Sequence, residues 1–216
     1  MTDKIQLYSL ATPNGQKASI ALEEMQLPYE ATRIDIMKGD QFADDFIKIN
    51  PNSKIPAIVD PNGPDGKPIS IMESGAILIY LAEKSGKFLP QDAVKKNEVI
   101  QWLFFQMASV GPMFGQFGHF YKYAGDKCQD PYPTVRYKTE VKRLMSVMEK
   151  RLEGRDFICD EYSIADMAIV PWIGCLDWGY SARDFLDVDS FKNVVSWHDR
   201  VMARPAAERG SKVCPF

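Results

Sequence analysis

The sequence predicts an α/β domain followed by an all-α domain. Three observations carry that expectation. Residues 4 to about 85 alternate strand-like and helix-like patterns. From residue 93 onward only helical spacing recurs. Between them, residues 86–92 (GKFLPQD) read as a linker. The organisation expected is therefore 1–85, a linker at 86–92, and an all-helical domain over 93–216.

The elements of the first part follow from periodicity and turn chemistry. Ile5 and Leu7 alternate with polar Gln6, a short strand. Thr12-Pro13-Asn14-Gly15 is a turn cluster, after which Ala18, Ala21, Leu22 and Met25 recur at i, i+3, i+4, i+7, one helix face. Leu27-Pro28 ends that helix, because proline disfavours a helical residue before it. Residues 29–36 (YEATRIDI) read as a second strand, and Phe42, Phe46 and Ile49 give helical spacing over 41–49. Ala57-Ile58-Val59 and Ile69-Ser70-Ile71 flank the turn signals Asn62-Gly63 and Asp65-Gly66, an antiparallel pair. Ser74, a favoured N-cap type, opens a helix with Ile77, Tyr80 and Leu81 on one side. The order is β-α-β-α-β-β-α, a small mixed sheet with helices packed on it. Its first strand–helix–strand passage implies a right-handed parallel crossover.

In the second part, Val99, Trp102, Leu103 and Gln106 fall within one long helix. Val141, Leu144, Met145, Met148 and Leu152 mark an amphipathic one. Ser163-Ile164-Ala165-Asp166 reads as a capping box before the apolar run Met167–Trp172. A final helix over about 190–203 stops at Arg204-Pro205.

Composition narrows the function. With 216 residues, 45% hydrophobic and 25% charged, the chain is an ordinary globular one rather than a disordered one. Lys and Arg number 26 against 29 Asp and Glu, a net charge of −3 without a basic block, which argues against nucleic acid as partner. No apolar run reaches membrane-spanning length, and the N-terminus lacks the layout of a secretory leader. The four cysteines (Cys128, Cys159, Cys175, Cys214) are far apart with no CxxC, against a zinc or dithiol motif and in keeping with a reducing cytoplasm. The two histidines, His119 and His198, belong to no readable carboxylate–His–nucleophile arrangement.

Several local motifs together resemble the cytosolic glutathione transferases. Ser53-Lys54-Ile55-Pro56 matches the loop before the family's cis-proline, and Glu73-Ser74-Gly75-Ala76-Ile77 its Glu/Gln-Ser pair at a helix start. Ser163–Asp166 matches the capping box of the second domain, and Trp197 to Arg204-Pro205-Ala206 the terminal helix. Thr12-Pro13-Asn14-Gly15, Gly39-Asp40-Gln41-Phe42, Asn50-Pro51-Asn52 and Gly111-Pro112-Met113-Phe114-Gly115-Gln116 resemble the Nu class of that family, bacterial glutathione-dependent disulfide-bond reductases. The resemblance implies a thioredoxin-like first domain, glutathione as substrate, no metal, and a homodimer. It also implies that Ile55-Pro56 is cis and that the Ile55 backbone pairs with the cysteinyl part of glutathione like an added strand.

Glutathione carries one amine, two carboxylates and a thiol, and residue types suited to each are present. The Ser74 hydroxyl and the free N–H groups of a helix start suit a carboxylate, and Glu73 beside it suits an ammonium. On spacing alone that pair is equally an ordinary N-cap beside a surface acid. The resemblance puts Lys54 and Gln41 near the glycine carboxylate. Thr12 and Asn14 stand where the first strand meets the first helix, and no cysteine is there. Lowering a thiol pKa by two units takes about 2.7 kcal/mol. A helix N-terminus gives roughly 0.3–1 kcal/mol, and one hydrogen bond to a charged group about 1.5–3 kcal/mol. One such bond from Thr12 or Asn14 with the helix end therefore suffices to hold a thiolate without a general base, while on residue type alone the two are equally turn and cap residues, or both. Arg136, in the first turn of a helix after Pro131-Tyr132-Pro133, opposes the macrodipole and so suggests an anionic partner, or pairing with Glu140 at i+4. In the Nu-class pattern an arginine in this context lies near bound glutathione.

The function implied is reduction of small or protein mixed disulfides by bound glutathione. Conjugation of glutathione to small electrophiles, and a low-turnover glutathione-binding regulatory role, are the alternatives.

Overall fold

A computed structural model describes residues 4–216. Four strands, β1 (Ile5–Ser9), β2 (Tyr29–Arg33), β3 (Ala57–Asp60) and β4 (Ile69–Met72), form one sheet in the order β2-β1-β3-β4. β1 and β2 are parallel, as a strand–helix–strand passage requires, and β3 runs antiparallel to both β1 and β4. With helices α1 (Pro13–Met25), α2 (Asp44–Ile49) and α3 (Ser74–Ser85), this is the thioredoxin-like β-α-β-α-β-β-α arrangement.

Two segments differ from their sequence patterns. The second strand stops at Arg33 rather than Ile36. Asp40 Oδ2 accepts the Asp35 N–H at 2.9 Å and Asp35 Oδ1 accepts the Met37 N–H at 3.1 Å, which turns the chain out of the sheet. The helical stretch over 41–49 splits into a 3₁₀ turn (Asp40–Phe42) and α2, because Ala43 between them is extended.

The chain divides into two compact units, one made of the chain through Leu89 together with Arg204–Phe216, the other of Pro90–Ala203. The helical stretch expected over 93–216 is thus shared between them. Pro205 does not end the helical part of the chain. It takes the first position of a further helix, α10 (Pro205–Ser211), where its missing N–H costs nothing. α10 packs against α1, with Ser19 Oγ donating to Gly210 O at 2.7 Å. A Cβ on Gly210 would lie 2.5 Å from Ile20 Cα, so only glycine permits that approach. Between α10, α3 and the sheet, α1 is buried nearly all round. It encloses Gln16, Lys17, Ser19 and Glu24 as well as its apolar residues.

In the other unit, α4 (Ala93–Phe105) is capped by Asp92, whose Oδ1 accepts from Val94 and Lys95 N–H. The long helix read through Gln106 widens there into a π-helical turn (Gln106–Val110), continues as α5 (Gly111–Gly118), and widens again at His119–Tyr123. α6 (Tyr132–Arg151) buries Val141, Leu144, Met145 and Met148, the face its spacing predicts. α7 (Ile164–Trp178) forms the middle of this unit and is followed by α8 (Arg183–Leu186) and α9 (Lys192–Met202). Its capping box is formed as predicted. The buried Asp166 carboxylate accepts N–H from Ser163 at 3.0 Å, Ile158 at 2.9 Å and the Trp197 indole at 2.8 Å. No helix among the described residues is long and apolar enough to cross a membrane.

Candidate functional site

The register of the sheet brings most of the predicted residues to one edge. Tyr8 pairs with Ala57, and Ala57 with Met72. The chain leaving β1 toward Thr12, the chain entering β3 from Pro56, and the chain leaving β4 toward Glu73 therefore lie at the same end. Ser9 pairs with Arg33, and Ile34 N–H continues the ladder to Ser9 O at 2.8 Å, so the loop carrying Gln41 starts there too. This is the carboxyl end of the parallel pair, where α/β folds bind their ligands. Ile34, Phe46 and Ala57 form a small core beneath it, with Tyr8, Ile49 and Ile55 packed on it.

Thr12 is the N-cap of α1, its Oγ1 accepting the Gly15 N–H at 3.2 Å. Pro13 follows at the first helical position, and Asn14 is half-buried in the first turn. Gly15 is required, since a Cβ there would stand 1.8 Å from Leu10 O. The turn is held from outside by Ala11 N–H donating to Cys214 O at 2.8 Å and by Gln16 Nε2 donating to Ala11 O and Ser211 O, both at 3.3 Å.

Ile55–Pro56 is a cis peptide. The loop before it is organised by Asn50, whose Nδ2 donates to Lys54 O at 2.6 Å and whose Oδ1 accepts the Asn52 N–H at 2.9 Å. Lys54 itself is exposed. Gln41 Nε2 donates to Ile36 O at 3.4 Å, and its buried Oε1 has no hydrogen-bond partner among the described residues.

Glu73 caps α3 with φ 68° and ψ 117°, a region that side chains rarely occupy and that costs roughly 1–3 kcal/mol. Such strain collects at ligand sites. Ser74 follows as the first residue of α3, buried, while Glu73 is exposed.

The sequence reading missed one residue here. Lys17 of α1 is fully buried, and its Nζ donates to Ser74 Oγ at 3.2 Å. Burial pushes its ammonium down to about 7, with the Glu73 carboxylate acting in the opposite direction. The available signal was its place four residues before Ala21, on the buried stripe of the helix.

Arg136 is the one predicted residue outside this unit. It lies on α6, exposed, in Pro90–Ala203. Among the described residues Arg136 forms no salt bridge with Glu140 at i+4, but Arg143 chiefly, and the charge of Arg136 with it, hold the Glu140 carboxyl below its ordinary value. Glu140 is gripped by Arg143 through Nε at 2.9 Å and Nη2 at 2.7 Å.

All four cysteines are free; Cys128 is half-buried, and Cys159, Cys175 and Cys214 are buried. Burial pushes the thiols of Cys159 and Cys175 up to about 12, and that of Cys214 upward as well. None of these three buried thiols is therefore poised as a nucleophile. Among the described residues no three His, Cys, Asp or Glu side chains are grouped to hold a metal.

Comparison with known proteins gives this edge a context. Residues 11–84 match the glutathione S-transferase N-terminal domain, and residues 127–205 match its C-terminal domain. The chain is 48% identical over 215 residues to disulfide-bond oxidoreductase YghU of Escherichia coli (strain K12), covering 95% of this chain and 73% of that protein. It is 45% identical over 204 residues to disulfide-bond oxidoreductase YfcG of the same organism, covering 94% and 92%. Among solved structures, a glutathione transferase family member from Pseudomonas fluorescens pf-5 with two glutathione bound superposes with TM-score 0.96 at 50% identity, covering 98% of this chain and 93% of that one. A glutathione transferase from Pseudomonas putida with one glutathione disulfide bound per subunit gives TM-score 0.95 at 50% identity, covering 97% and 91%. The two family models together span most of the sequence, relatives of half-identical sequence are glutathione transferases, and the protein belongs to the glutathione S-transferase family.

Proposed function

We propose that this protein is a glutathione-dependent disulfide-bond reductase in which bound glutathione thiols, not protein cysteines, carry the electrons. The observation behind the reading is the start of α1. Thr12 and Asn14 stand at the sheet edge with a helix N-terminus and without a cysteine, while the buried thiols elsewhere are held protonated. Two relatives named as disulfide-bond oxidoreductases support it, as do relatives holding two glutathiones, the reductant, or a glutathione disulfide, the product.

In this reading Ser74 and the N–H groups of α3 take the γ-glutamyl carboxylate and Glu73 its ammonium. The Ile55 backbone pairs with the cysteinyl residue, and Lys54 and Gln41 face the glycine carboxylate. The thiol then points at Thr12 and Asn14, which stabilise it as thiolate. That thiolate attacks one sulfur of the substrate disulfide and forms a mixed disulfide. The other sulfur leaves as a thiolate and takes a proton. A second glutathione thiolate attacks the glutathione sulfur, giving glutathione disulfide and releasing the remaining substrate thiol. Two glutathiones are oxidised for each disulfide reduced. Arg136, exposed and in no salt bridge among the described residues, is the cation this reading assigns to a second glutathione or a glutathionylated substrate. The assembly implied is a C2 homodimer.

One observation favours conjugation instead. The helical unit carries a cluster in which Phe117, Tyr121 and Phe185 stack with centroids 4.7–6.3 Å apart and Lys138 Nζ stands 3.8 Å over Phe185; Phe117 is buried, and half-buried Tyr121 with exposed Phe185 offers aromatic area suited to an electron-poor ring.

Reduction of a small disulfide by glutathione, coupled to glutathione reductase and NADPH, tests the reading when run beside conjugation of a chlorinated nitrobenzene. Fast reduction that persists after all four cysteines are replaced is expected. Conjugation faster than reduction overturns the assignment in favour of a transferase.

A further inference from the structure

Lys17 takes no part in the reaction just described, yet its position is costly. A lysine ammonium removed from water is expensive, and methionine would fill the same space without charge. The side chain is 0% exposed, on the helix whose first turn carries Thr12 and Asn14, and it reaches Ser74 Oγ at 3.2 Å. An ammonium has donors only. In that charged form, which prevails below about pH 7, Lys17 occupies a lone pair of the Ser74 oxygen, and the Ser74 hydroxyl hydrogen is turned toward another acceptor.

We propose that Lys17 is a positioning residue for the γ-glutamyl carboxylate of glutathione: its buried ammonium, donating to Ser74 Oγ, directs the Ser74 hydroxyl hydrogen toward that carboxylate and sets a cation behind it. The proposal rests on the glutathione reading of Glu73 and Ser74 and adds a residue to it. One side chain thereby links α1, where the thiol is held, to α3, where the other end of the ligand is held.

The electrostatic surroundings make the device sensitive to the ligand. Glu73, at the start of α3, is the acid that acts on Lys17. On α1 itself, Glu24 is engaged by Arg204 and Glu23 by Arg209 and Tyr29. On α10, Glu208 is engaged by Lys212. β1 contributes only Tyr8 as a titratable group, and farther along α3 Tyr80 and Lys84 are bound to Asp60. With burial holding its ammonium near 7, Lys17 is partly neutral in weakly basic solution. The ligand ammonium on Glu73 works against the charged form, but the carboxylate, held by the Ser74 hydroxyl that Lys17 itself touches, is the nearer charge, so ligand binding raises the Lys17 pKa and takes up a proton there.

The test uses S-methylglutathione, which keeps the γ-glutamyl carboxylate and has no thiol to titrate. Carbon-13 signals of the lysine Cε atoms are followed against pH with and without this ligand. One lysine is expected to titrate near neutrality, far from the ordinary value of about 10.4, and its midpoint is expected to rise by about one unit or more on binding. Lys17→Met should abolish that signal and weaken binding about 10- to 100-fold at pH 6.5. In a Ser74→Ala background the same substitution should cost far less. Binding with an unmoved midpoint, or Lys17→Met binding as tightly as the unsubstituted protein, overturns the role of Lys17 alone. Absence of saturable binding at any pH overturns the glutathione reading and this inference with it. If Lys17→Met does not fold, the midpoint shift in the unsubstituted protein decides the matter.

Discussion

Arg204 grips the Glu24 carboxylate in a fork, Nε to Oε1 at 2.7 Å and Nη2 to Oε2 at 2.8 Å. The Glu24 side chain is only 4% exposed. Bidentate pairs of this kind are the strong class of ion pair, and removing one partner strands a buried charge. Arg204→Ala is expected to destabilise the protein by about 3 kcal/mol, read as a fall in the urea midpoint. Glu24→Gln with Arg204→Met should lose much less than Arg204→Ala, because no unpaired charge remains buried. Equal losses would contradict this account of the pair.

Thr12 serves as helix cap and, in the proposed mechanism, as donor to the thiolate. The two roles separate by substitution. Thr12→Ser keeps both and should retain activity. Thr12→Asp keeps the cap but sets a negative charge beside the thiolate, so kcat/KM for disulfide reduction should fall at least about tenfold while the melting temperature changes little. Retention of full activity by Thr12→Asp would remove Thr12 from the thiolate site.

Lys17 makes a stability prediction independent of any ligand. Its folded pKa lies below its unfolded one, so between about pH 7 and the ordinary lysine range the unfolded chain binds more protons. Stability from this group therefore rises with pH across that window, by at most about 1.4 kcal/mol per unit. Urea unfolding at pH 7.5 and 9.5 should show the unsubstituted protein gaining relative to Lys17→Met. A constant difference between the two would show that the amine is not held down by burial.

Thiol accessibility follows the burial of the cysteines. In the native protein an aromatic disulfide reagent should label Cys128 rapidly and Cys159, Cys175 and Cys214 slowly. All four should react in denaturant. Rapid native labelling of Cys214 would reopen a protein thiol as a participant, because its carbonyl already holds the turn before Thr12.

Much of this was readable from residue patterns. Alternating Ile5 and Leu7, the two turn signals between β3 and β4, and the Ser163–Asp166 box each depend on neighbours in sequence, and each forms as its local chemistry requires. The edge that gathers Thr12, Pro56 and Ser74 follows from strand order, which the family resemblance supplied and periodicity alone did not. Two features were hidden by tertiary context. Arg204-Pro205 reads as a stop, yet proline is equally a first residue, and only the groove beside Ser19 and Ile20 makes the start worthwhile. Lys17 was passed over because a lysine bordering an apolar stripe ordinarily reaches water, whereas α1 is buried nearly all round.

The return of α10 to α1 has a temporal consequence. The helical unit is an insertion in the chain order, and residues 204–216 are needed to finish the unit that begins the chain. A ribosome therefore delivers Thr12, Pro56 and Ser74 early, but the turn ahead of Thr12 lacks its anchors at Ser211 and Cys214 until the final stretch of this sequence has been translated. The proposed glutathione pocket matures after synthesis of these residues ends, and a nascent chain stalled within the helical unit would carry its chemistry-bearing residues unassembled.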